Sequence, residues 1–298
     1  SAGSVQIARM RLVGSRWIKR AGEGVLESVV GDTLSGQGRV EVSSISRVTE
    51  GLDYDSPPGV LEELVDPTQA FTGQGIEINE KSLGLVFEGV PDQARAEVYH
   101  RFPQRPRDFL AYREARLWVL ARSGDFGPTR PNRFFMKVGS DPENFYLYRT
   151  PLSSPTGAAV TPADWLPEVV VDFGEWLDLR RQAEELLSFA PSVPGAPPLT
   201  VWSADSTYAV VLADRGRAPN LAAVREISVG VWNETGAPVT GEIWIDELRL
   251  GRPVRDAGVA SSFNATFDGA GVLTARVGMT DRGAFFRQLR DAPTYQDD

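Results

Sequence analysis

A stretch of alternating apolar and polar residues late in the chain constrains the fold most. Residues 241–250 read Gly-Glu-Ile-Trp-Ile-Asp-Glu-Leu-Arg-Leu, with β-branched and aromatic residues in near period-2 alternation. Residues 225–232 alternate as well, and the turn sequence Asn-Glu-Thr-Gly begins at Asn233. Alternation on both sides of a Gly-containing turn predicts a closing β-hairpin, the last strand pair of a sandwich. The main fold is therefore expected to end near Leu250.

Short alternating segments recur through the middle of the chain, each bounded by Gly, Pro, Asp or Asn. They predict further strands at 76–90, 95–102, 116–123, 133–139, 145–150, 166–173, 199–202 and 207–212. Residues 176–189 differ, because Trp176, Leu179, Ala183 and Leu186 recur at helical spacing. About ten short strands with one helix predict a mainly β chain, folded as a jelly-roll-like antiparallel β-sandwich.

Three regions are expected along the chain. Residues 1–50 hold an entry strand at 5–17, a Gly-rich segment at 22–38 and a strand at 39–48. Residues 51–252 form the sandwich, with a loop at 53–70 and a Pro-rich linker at 190–198. Residues 253–298 form a separate tail.

The tail carries the strictest alternation in the chain. In 261–267 Phe263, Ala265 and Phe267 alternate with polar residues, Asp-Gly-Ala-Gly follows, and 273–279 alternates again. A hairpin with one apolar and one polar face is typical of transmembrane barrel strands. From the residues alone, an ordinary amphipathic hairpin covering a sheet edge is the favoured interpretation.

Composition excludes several function classes. The chain has no Cys, which removes disulfides, thiolate nucleophiles and thiolate metal sites. A formal net charge of −9 argues against nucleic-acid binding, which needs a basic surface. No apolar run approaches the roughly 18 to 20 residues of a spanning helix. The start at Ser1 without an initiator Met favours a segment excised from a longer protein.

The residues whose side chains could catalyse a reaction or bind a metal do not form a recognised catalytic motif. His100 is the single histidine, so a triad or His-based metal site would depend on it alone, and a half-exposed strand residue is the favoured interpretation. Asp141, Glu143 and Asn144 are closely spaced oxygen ligands, and Asp246 and Glu247 are adjacent. A structural Ca²⁺ is considered for both groups, but neither matches a defined calcium loop, and Asx-turn chemistry and a salt-bridged strand end are preferred. No catalytic, cofactor-binding or metal-binding residue is therefore assigned.

The tryptophans offer a second kind of site, since flat exposed rings stack on sugars. Trp118, Trp232 and Trp244 have apolar neighbours at strand spacing, which indicates core packing. Trp165 lies in a loop and is the candidate for a surface sugar platform.

Several segments together resemble the SprA family, the giant outer-membrane translocon protein of the type 9 secretion system. The matching segments are Val-Gly-Ser-Arg-Trp at 13–17, Pro-Pro-Gly at 57–59, Asn-Glu-Lys-Ser-Leu at 79–83, Tyr-Arg-Glu-Ala-Arg-Leu at 112–117, Phe-Phe-Met-Lys-Val-Gly-Ser-Asp at 134–141, Asn-Phe-Tyr at 144–146 and Glu-Ile-Trp-Ile-Asp-Glu-Leu-Arg-Leu at 242–250. The last resembles the aromatic-x-Asn/Asp-Glu-Leu-Arg strand after which the family re-enters its barrel. Their order extends over about 230 residues of this sequence.

The resemblance implies a role in protein secretion and gliding motility at the cell surface. It implies as partners the remainder of the translocon barrel, a PorV-like shuttle, a plug protein and secreted protein substrates. Since the family is far longer than this chain, the chain would be an extracellular or periplasmic insert of an outer-membrane barrel protein. The resemblance also implies that the tail at 253–298 holds the first transmembrane barrel strands after that insert.

The sequence therefore predicts a non-enzymatic, structural and interaction segment of a SprA-like translocon. The alternative is a carbohydrate-binding β-sandwich module of a surface protein. A glycoside-acting enzyme is the third hypothesis and would need two carboxylates facing one cleft.

Overall fold

In the computed structural model, two antiparallel β-sheets face each other with one long helix at their side. The structure describes residues 10–11, 17–19, 26–28, 33–34, 39–60, 80–127, 132–141, 143–152, 154–155, 157–189, 198–213, 218–254, 260–269 and 273–282. The predicted mainly β antiparallel sandwich is confirmed, and the one predicted helix is the longer of two α-helices in the described residues.

The strands follow one another along nearly the whole chain. In order they are β1 (Met10–Arg11), β2 (Ile18–Lys19), β3 (Leu26–Ser28), β4 (Thr33–Leu34), β5 (Arg39–Ile45), β6 (Ser82–Val90), β7 (Ala94–Arg101), β8 (Tyr112–Ser123), β9 (Arg133–Gly139), β10 (Asn144–Pro151), β11 (Val169–Asp172), β12 (Leu199–Trp202), β13 (Tyr208–Leu212), β14 (Glu226–Trp232), β15 (Val239–Pro253), β16 (Ala260–Gly269) and β17 (Leu273–Arg282). Sheet A has the order β11-β8-β15-β6-β5, with β1 also paired to β15. Sheet B has the order β12-β13-β10-β9-β14-β7-β3-β4, with β2 also paired to β7.

The alternation seen in the sequence sorts side chains between the two faces of each sheet. In β8, Leu117, Val119 and Ala121 belong to the main core, whereas Trp118 and Leu120 belong to a separate apolar cluster. The main core also receives Met136 of sheet B. The sandwich interior therefore lies between the sheets, and sheet A carries a second apolar cluster on its other face.

The predicted closing hairpin is wrong, because its two strands belong to different sheets. β14 pairs with β7 and β9 in sheet B, while β15 pairs with β6 and β8 in sheet A. The Asn233 turn crosses from one sheet to the other. It is hydrogen-bonded to the other such connection, which joins β6 of sheet A to β7 of sheet B. Asn233 donates its Nδ2–H to the Val90 carbonyl oxygen at 2.9 Å, and Gly236 N–H donates to Asp92 Oδ1 at 2.8 Å.

The long helix closes one side of the sandwich. Helix α1 (Arg47–Glu50) is short, and helix α2 (Phe173–Phe189) begins three residues before the predicted start at Trp176. α2 contacts β12 and β13 of sheet B and β8 of sheet A. Trp176 of α2 is fully buried, stacks on Tyr146 with ring centroids 5.5 Å apart, and donates to the Leu147 carbonyl oxygen. In the part of the chain that the structure describes, three 3-10 helices lie in the connections: Gly51–Asp53, Pro162–Trp165 and Leu221–Ala223.

The chain divides into two units at Pro253 and Val254. The second unit contains the predicted tail hairpin: β16 pairs antiparallel with β17, and the register places Phe263 opposite Met279 and Ala265 opposite Val277. That these strands belong to a transmembrane barrel stays a prediction. The entry strand, the Gly-rich segment and the Pro-rich linker lie mostly outside the described residues. The three region boundaries stay a prediction.

Candidate functional site

The outer face of sheet A is covered by two connections of the chain itself. One is 46–60, which holds α1, and the other is 157–168, which precedes β11. The two are joined where Trp165 donates its Nε1–H to the Asp55 carbonyl oxygen at 2.9 Å and where Val160 N–H donates to the Asp53 carbonyl oxygen at 3.1 Å. Beneath them lies an apolar cluster of Ile45, Tyr54, Val60, Trp118, Leu120, Val160, Trp165 and Trp244.

A buried pair of carboxyl groups lies against this cluster. Asp246 projects from β15 and is 6% exposed, and Glu80, just before β6, is 8% exposed. The charge of Glu80 acts on Asp246, so the two carboxyl groups lie in the same buried site. Asp246 Oδ1 accepts from Glu247 N–H at 2.7 Å, while Asp246 Oδ2 is buried with no hydrogen-bond donor. We call Asp246 and Glu80 the acid pair.

Electrostatics at the acid pair favour a neutral Asp246. Burial, followed by the charge of Glu80, raises the pKa of Asp246 to about 8. Burial and Asp246 in turn raise the pKa of Tyr54, whose hydroxyl lies 2.9 Å from Ser82 Oγ. One buried site thus gathers two carboxyl groups and two hydroxyl groups.

A β-bulge in β15 explains how the Asp-Glu-Leu-Arg sequence presents its charges. Asp246 pairs with Trp118 and Arg249 with Arg116, so β15 has one extra residue, and Glu247 has a φ of 48°. The bulge shifts the alternation, so that Leu248 and Leu250 enter the main core. A strict period-2 pattern through Ile245 would have placed Glu247 there instead.

The charges after the bulge form a network within sheet A. Arg249 pairs with Glu247 at 2.8 Å and with Glu168, and Arg116 pairs with Glu168 at 2.7 Å and with Glu114 at 2.6 Å. Glu114 and Glu247 are almost completely buried. The salt bridge predicted at Asp246 is wrong. Asp246 faces Glu80, and it is the neighbouring Glu247 that pairs with Arg249.

The other candidates from the sequence are separate from this site. Asp141 Oδ1 accepts from Glu143 N–H at 3.0 Å and Asn144 N–H at 2.7 Å, the preferred Asx-type turn, and the β9–β10 hairpin forms around it. His100 lies on β7 beside the rings of Trp17 and Phe102, at 6.1 and 5.0 Å. The structure does not bring these residues together.

The tryptophans are mostly core residues. Trp118, Trp232 and Trp244 are buried, as predicted. Trp165, the candidate sugar platform, is fully buried, and that interpretation is wrong. Its loop carries the ring inward, where it packs 6.5 Å from Tyr54 and 6.4 Å from Trp244 between ring centroids.

An open cleft of about 260 Å³ lies beside the network, lined by Val119, Tyr148, Leu152, Asp164, Glu168 and other residues. Its acids are already engaged. Asp164 Oδ2 accepts from Thr161 N–H and Oγ1–H, and Glu168 is ion-paired with Arg116 and Arg249. The cleft is also smaller than the roughly 300 to 1,000 Å³ usual for small-molecule sites.

The described residues contain no cluster of three or more His, Cys, Asp or Glu in a metal-binding arrangement. Nor does any helix within them have the length and apolar character needed to cross a membrane.

Comparisons with known proteins do not identify a family for this chain. No protein-family model matches the chain, and a search of curated proteins found no match. Among solved structures the chain is similar to SGBP-B from a complex xyloglucan utilization locus in Bacteroides uniformis, at 8% identity and a TM-score of 0.30. The alignment covers 77% of this chain and 49% of that chain, so this chain spans about half the length of SGBP-B.

Sequence reasoning missed Glu80 as a site residue. Asp246 was considered with its neighbour Glu247, but its buried partner is far away in sequence and lies at the entrance to β6. The signal available was an acidic residue directly before a strand that is apolar on one face. Only the pairing of β6 with β15 brings that residue to Asp246.

Proposed function

We propose that this chain is a non-enzymatic, structural and interaction segment of a SprA-like outer-membrane translocon of the type 9 secretion system. The observation that carries the proposal is the pairing of β1 with the end of β15. Met10 pairs with Leu250 and Arg11 with Arg249 in an antiparallel register. The first described strand and the strand that leaves the sandwich are therefore direct neighbours.

Adjacent entry and exit strands are what an inserted domain requires. A domain placed between two strands of a host must begin and end at neighbouring points, or it would force the host strands apart. Here the chain passes from β15 into the second unit at Pro253 and Val254. The β16–β17 hairpin follows, at the position where the resemblance places the return to barrel strands.

The motif that carries the resemblance has a structural use in this fold. Glu242–Leu250 lies in β15, which is paired on both sides by β6 and β8. The side chains of Asp246, Glu247 and Arg249 all point to partners within sheet A and its connections. These contacts anchor the exit strand, which supports a mechanical role for the motif rather than ligand binding.

The partners follow from the resemblance. They are the remainder of the barrel, a PorV-like shuttle, a plug protein and the secreted substrates, with the sandwich on the extracellular or periplasmic side of the outer membrane. The net charge of −9 suits a surface past which proteins move without adhering.

The carbohydrate-binding module is the competing proposal, and the buried rings do not favour it. Trp165, Trp176 and Trp244 are each no more than 1% exposed. A module that binds sugars by stacking needs such rings on its surface. Polysaccharide binding is therefore an outcome of the test below.

The test removes the sandwich and keeps its entry and exit. In the producing bacterium, residues 12–248 are deleted and Arg11 is joined to Arg249 by a short Gly-Ser linker, which the β1–β15 pairing allows. We expect loss of type 9 secretion into the medium, with the parent protein still in the outer-membrane fraction. The matched control is Arg181→Ala, which removes an exposed ion pair on α2. Unchanged secretion together with retardation of the intact chain in a polysaccharide gel would overturn the proposal in favour of a glycan-binding module.

A further inference from the structure

The edge of sheet A at β5 is open to solvent. Among the described strands β5 pairs with β6 alone, so the main-chain groups along its other side are not hydrogen-bonded to another described strand. Ser43 and Ser44 are neighbours, and neighbouring strand residues point to opposite faces of a sheet. Both are exposed, so this part of β5 is uncovered on its two faces. Such an edge is a template for pairing with a further strand.

The composition of β5 does not oppose that pairing. Proteins usually protect an edge strand with Pro, Lys or a bulge. Arg39–Ile45 reads Arg-Val-Glu-Val-Ser-Ser-Ile, without Pro or Lys, and its register with β6 is continuous. Its two charged residues, Arg39 and Glu41, form an ion pair with each other. The strand therefore keeps a regular edge with no net charge.

Two exposed apolar side chains follow directly after this edge. Val48 is 74% exposed and Leu52 is 90% exposed. The segment that carries them is held in place, because the Ser46 hydroxyl accepts from Thr49 N–H at 3.4 Å and the Thr49 hydroxyl accepts from Ser46 N–H at 2.9 Å. Tyr54, two residues after Leu52, is buried. A segment fixed in this way loses little conformational entropy when a partner covers it.

The charge around Leu52 selects the kind of partner. Glu50 and Asp53 flank it in sequence, and no described residue forms an ion pair with either. Arg47, the basic residue of this segment, is paired with Asp55 at 3.3 Å. An exposed apolar side chain thus lies between two uncompensated carboxylates. This arrangement attracts a basic partner and repels an acidic one.

We propose that β5 and residues 46–53 form a docking site for an extended segment of a partner protein, rich in β-branched residues and ending in Lys or Arg. The segment adds to sheet A beside β5, whose main-chain groups provide the hydrogen bonds. The aliphatic part of a terminal Lys or Arg covers Leu52, while its charge pairs with Glu50 or Asp53. The net charge of −9 disfavours an anionic surface or a second copy of this chain as the occupant.

A defined peptide tests the site on the full 298-residue chain. The probe is fluorescein-labelled Lys-Lys-Val-Thr-Val-Thr-Val-Lys-Lys, and the matched probe has Glu in place of every Lys. We expect saturable binding of the Lys peptide by fluorescence anisotropy, weakened by salt, and no binding of the Glu peptide. Amide hydrogen exchange over 39–45 should slow when the Lys peptide is bound, because its main chain then pairs with the edge. Docking does not depend on membership of a translocon, so its failure would leave the secretion test unaffected.

Surface variants separate this site from general attraction to an acidic chain. Leu52→Gln should weaken binding of the Lys peptide by about tenfold, and so should Glu50→Lys combined with Asp53→Lys. Leu186→Gln and Glu185→Lys are the matched controls, since both residues are exposed on α2, and each should bind as the unmodified chain does. Circular dichroism should be unchanged in all of these variants, because no buried side chain is altered.

Four results would overturn the proposal. The first is absence of binding by the Lys peptide, or equal binding by the two peptides. The second is slowed exchange only outside 39–45. The third is equal weakening by Leu52→Gln and Leu186→Gln, which would mean that the peptide has no preferred place on the surface. The fourth is a dimer of the chain alone in analytical ultracentrifugation that Leu52→Gln abolishes, which would mean that a second copy occupies the edge.

Discussion

Lys137 Nζ lies 2.8 Å from Glu97 Oε2, and both side chains are 2% exposed. Lys137 is on β9 and Glu97 on β7, with β14 between them in sheet B. The Lys137 ammonium also lies 4.5 Å from the centre of the Phe145 ring. A buried ion pair of this kind is costly to break, because the remaining partner keeps its charge without solvent.

Lys137→Met should therefore lower the free energy of unfolding by about 3 to 5 kcal/mol. The double variant Lys137→Met with Glu97→Leu should recover most of that loss, because no charge is left buried. Urea unfolding followed by tryptophan fluorescence measures both. Arg181→Ala is the matched control, since its pair with Asp178 is 69% and 68% exposed, and it should cost less than about 0.5 kcal/mol. A Lys137→Met loss no larger than that of the control would contradict the prediction.

Gly230 lets β14 lie between these two residues. A Cβ at this position would be 1.9 Å from the Ala96 carbonyl oxygen and 3.0 Å from Cε1 of Phe135. The first neighbour is backbone within the β7–β14 pairing and cannot move without breaking the register. Gly230→Ala should cost at least about 2 kcal/mol by the same urea assay. Gly157→Ala is the comparison, because its Cβ would meet the Ala159 carbonyl oxygen at 3.6 Å, and equal effects of the two changes would refute this account.

The positions of the strands can be predicted from the amino-acid sequence, whereas the pairing partners of the strands cannot. The segments 133–139 and 199–202 coincide with β9 and β12. Their alternation reports only that one face is buried. β14 and β15 alternate in the same way whether they pair with each other or face each other across the core. The predicted hairpin is therefore wrong at Asn233. The side-chain amide of Asn233 donates a hydrogen bond to Val90, and this stabilises a crossing between the two sheets rather than a hairpin turn.

The acid pair was hidden for a related reason. A carboxyl group in a sequence is expected in water, and only covering connections placed over sheet A bury Asp246 and Glu80. The prediction for Trp165 is wrong for the same reason: a loop residue is expected at the surface, and the sequence does not show that two connections pack together over sheet A. Its burial depends on the bond to Asp55, which joins the two connections.

Trp165→Ala should destabilise the chain and free those two connections. Loss of a fully buried Trp costs about 3 to 5 kcal/mol, and the Asp55 bond is lost with it. Limited proteolysis should then cut within 46–60 or 157–168 before any other described part of the first unit. Leu52→Ala serves as the control, because Leu52 is 90% exposed in the same connection, and it should leave the cleavage pattern unchanged. First cleavage elsewhere in Trp165→Ala would show that the ring does not fasten these connections.

Asp246 should make stability fall as pH rises. Its pKa is raised in the folded state from 3.8 to about 8, so between these values the folded chain holds a proton that the unfolded chain releases. Each pH unit in that window therefore costs up to about 1.4 kcal/mol from this group. Asp246→Asn should flatten the decline and should be the more stable form near pH 8. Urea midpoints across the window, with Asp53→Asn as control, measure the difference. Parallel pH profiles for Asp246→Asn and the unmodified chain would exclude Asp246 as the source.

Amide hydrogen exchange should separate the two units of the chain. β15 is hydrogen-bonded to β6 and β8 and buried over most of its length, so its amides should exchange slowly. β16 and β17 pair only with each other among the described strands, and an isolated two-stranded hairpin is marginally stable in water. We therefore expect fast exchange over 260–282 beside strong protection over 226–250, as for barrel strands removed from their barrel. β12 and β13 are the internal control, since they form a hairpin that sheet B holds through β10. Equal protection of 260–282 and 226–250 would mean that the tail is stable without further strands. That result would favour a self-contained module over a translocon insert.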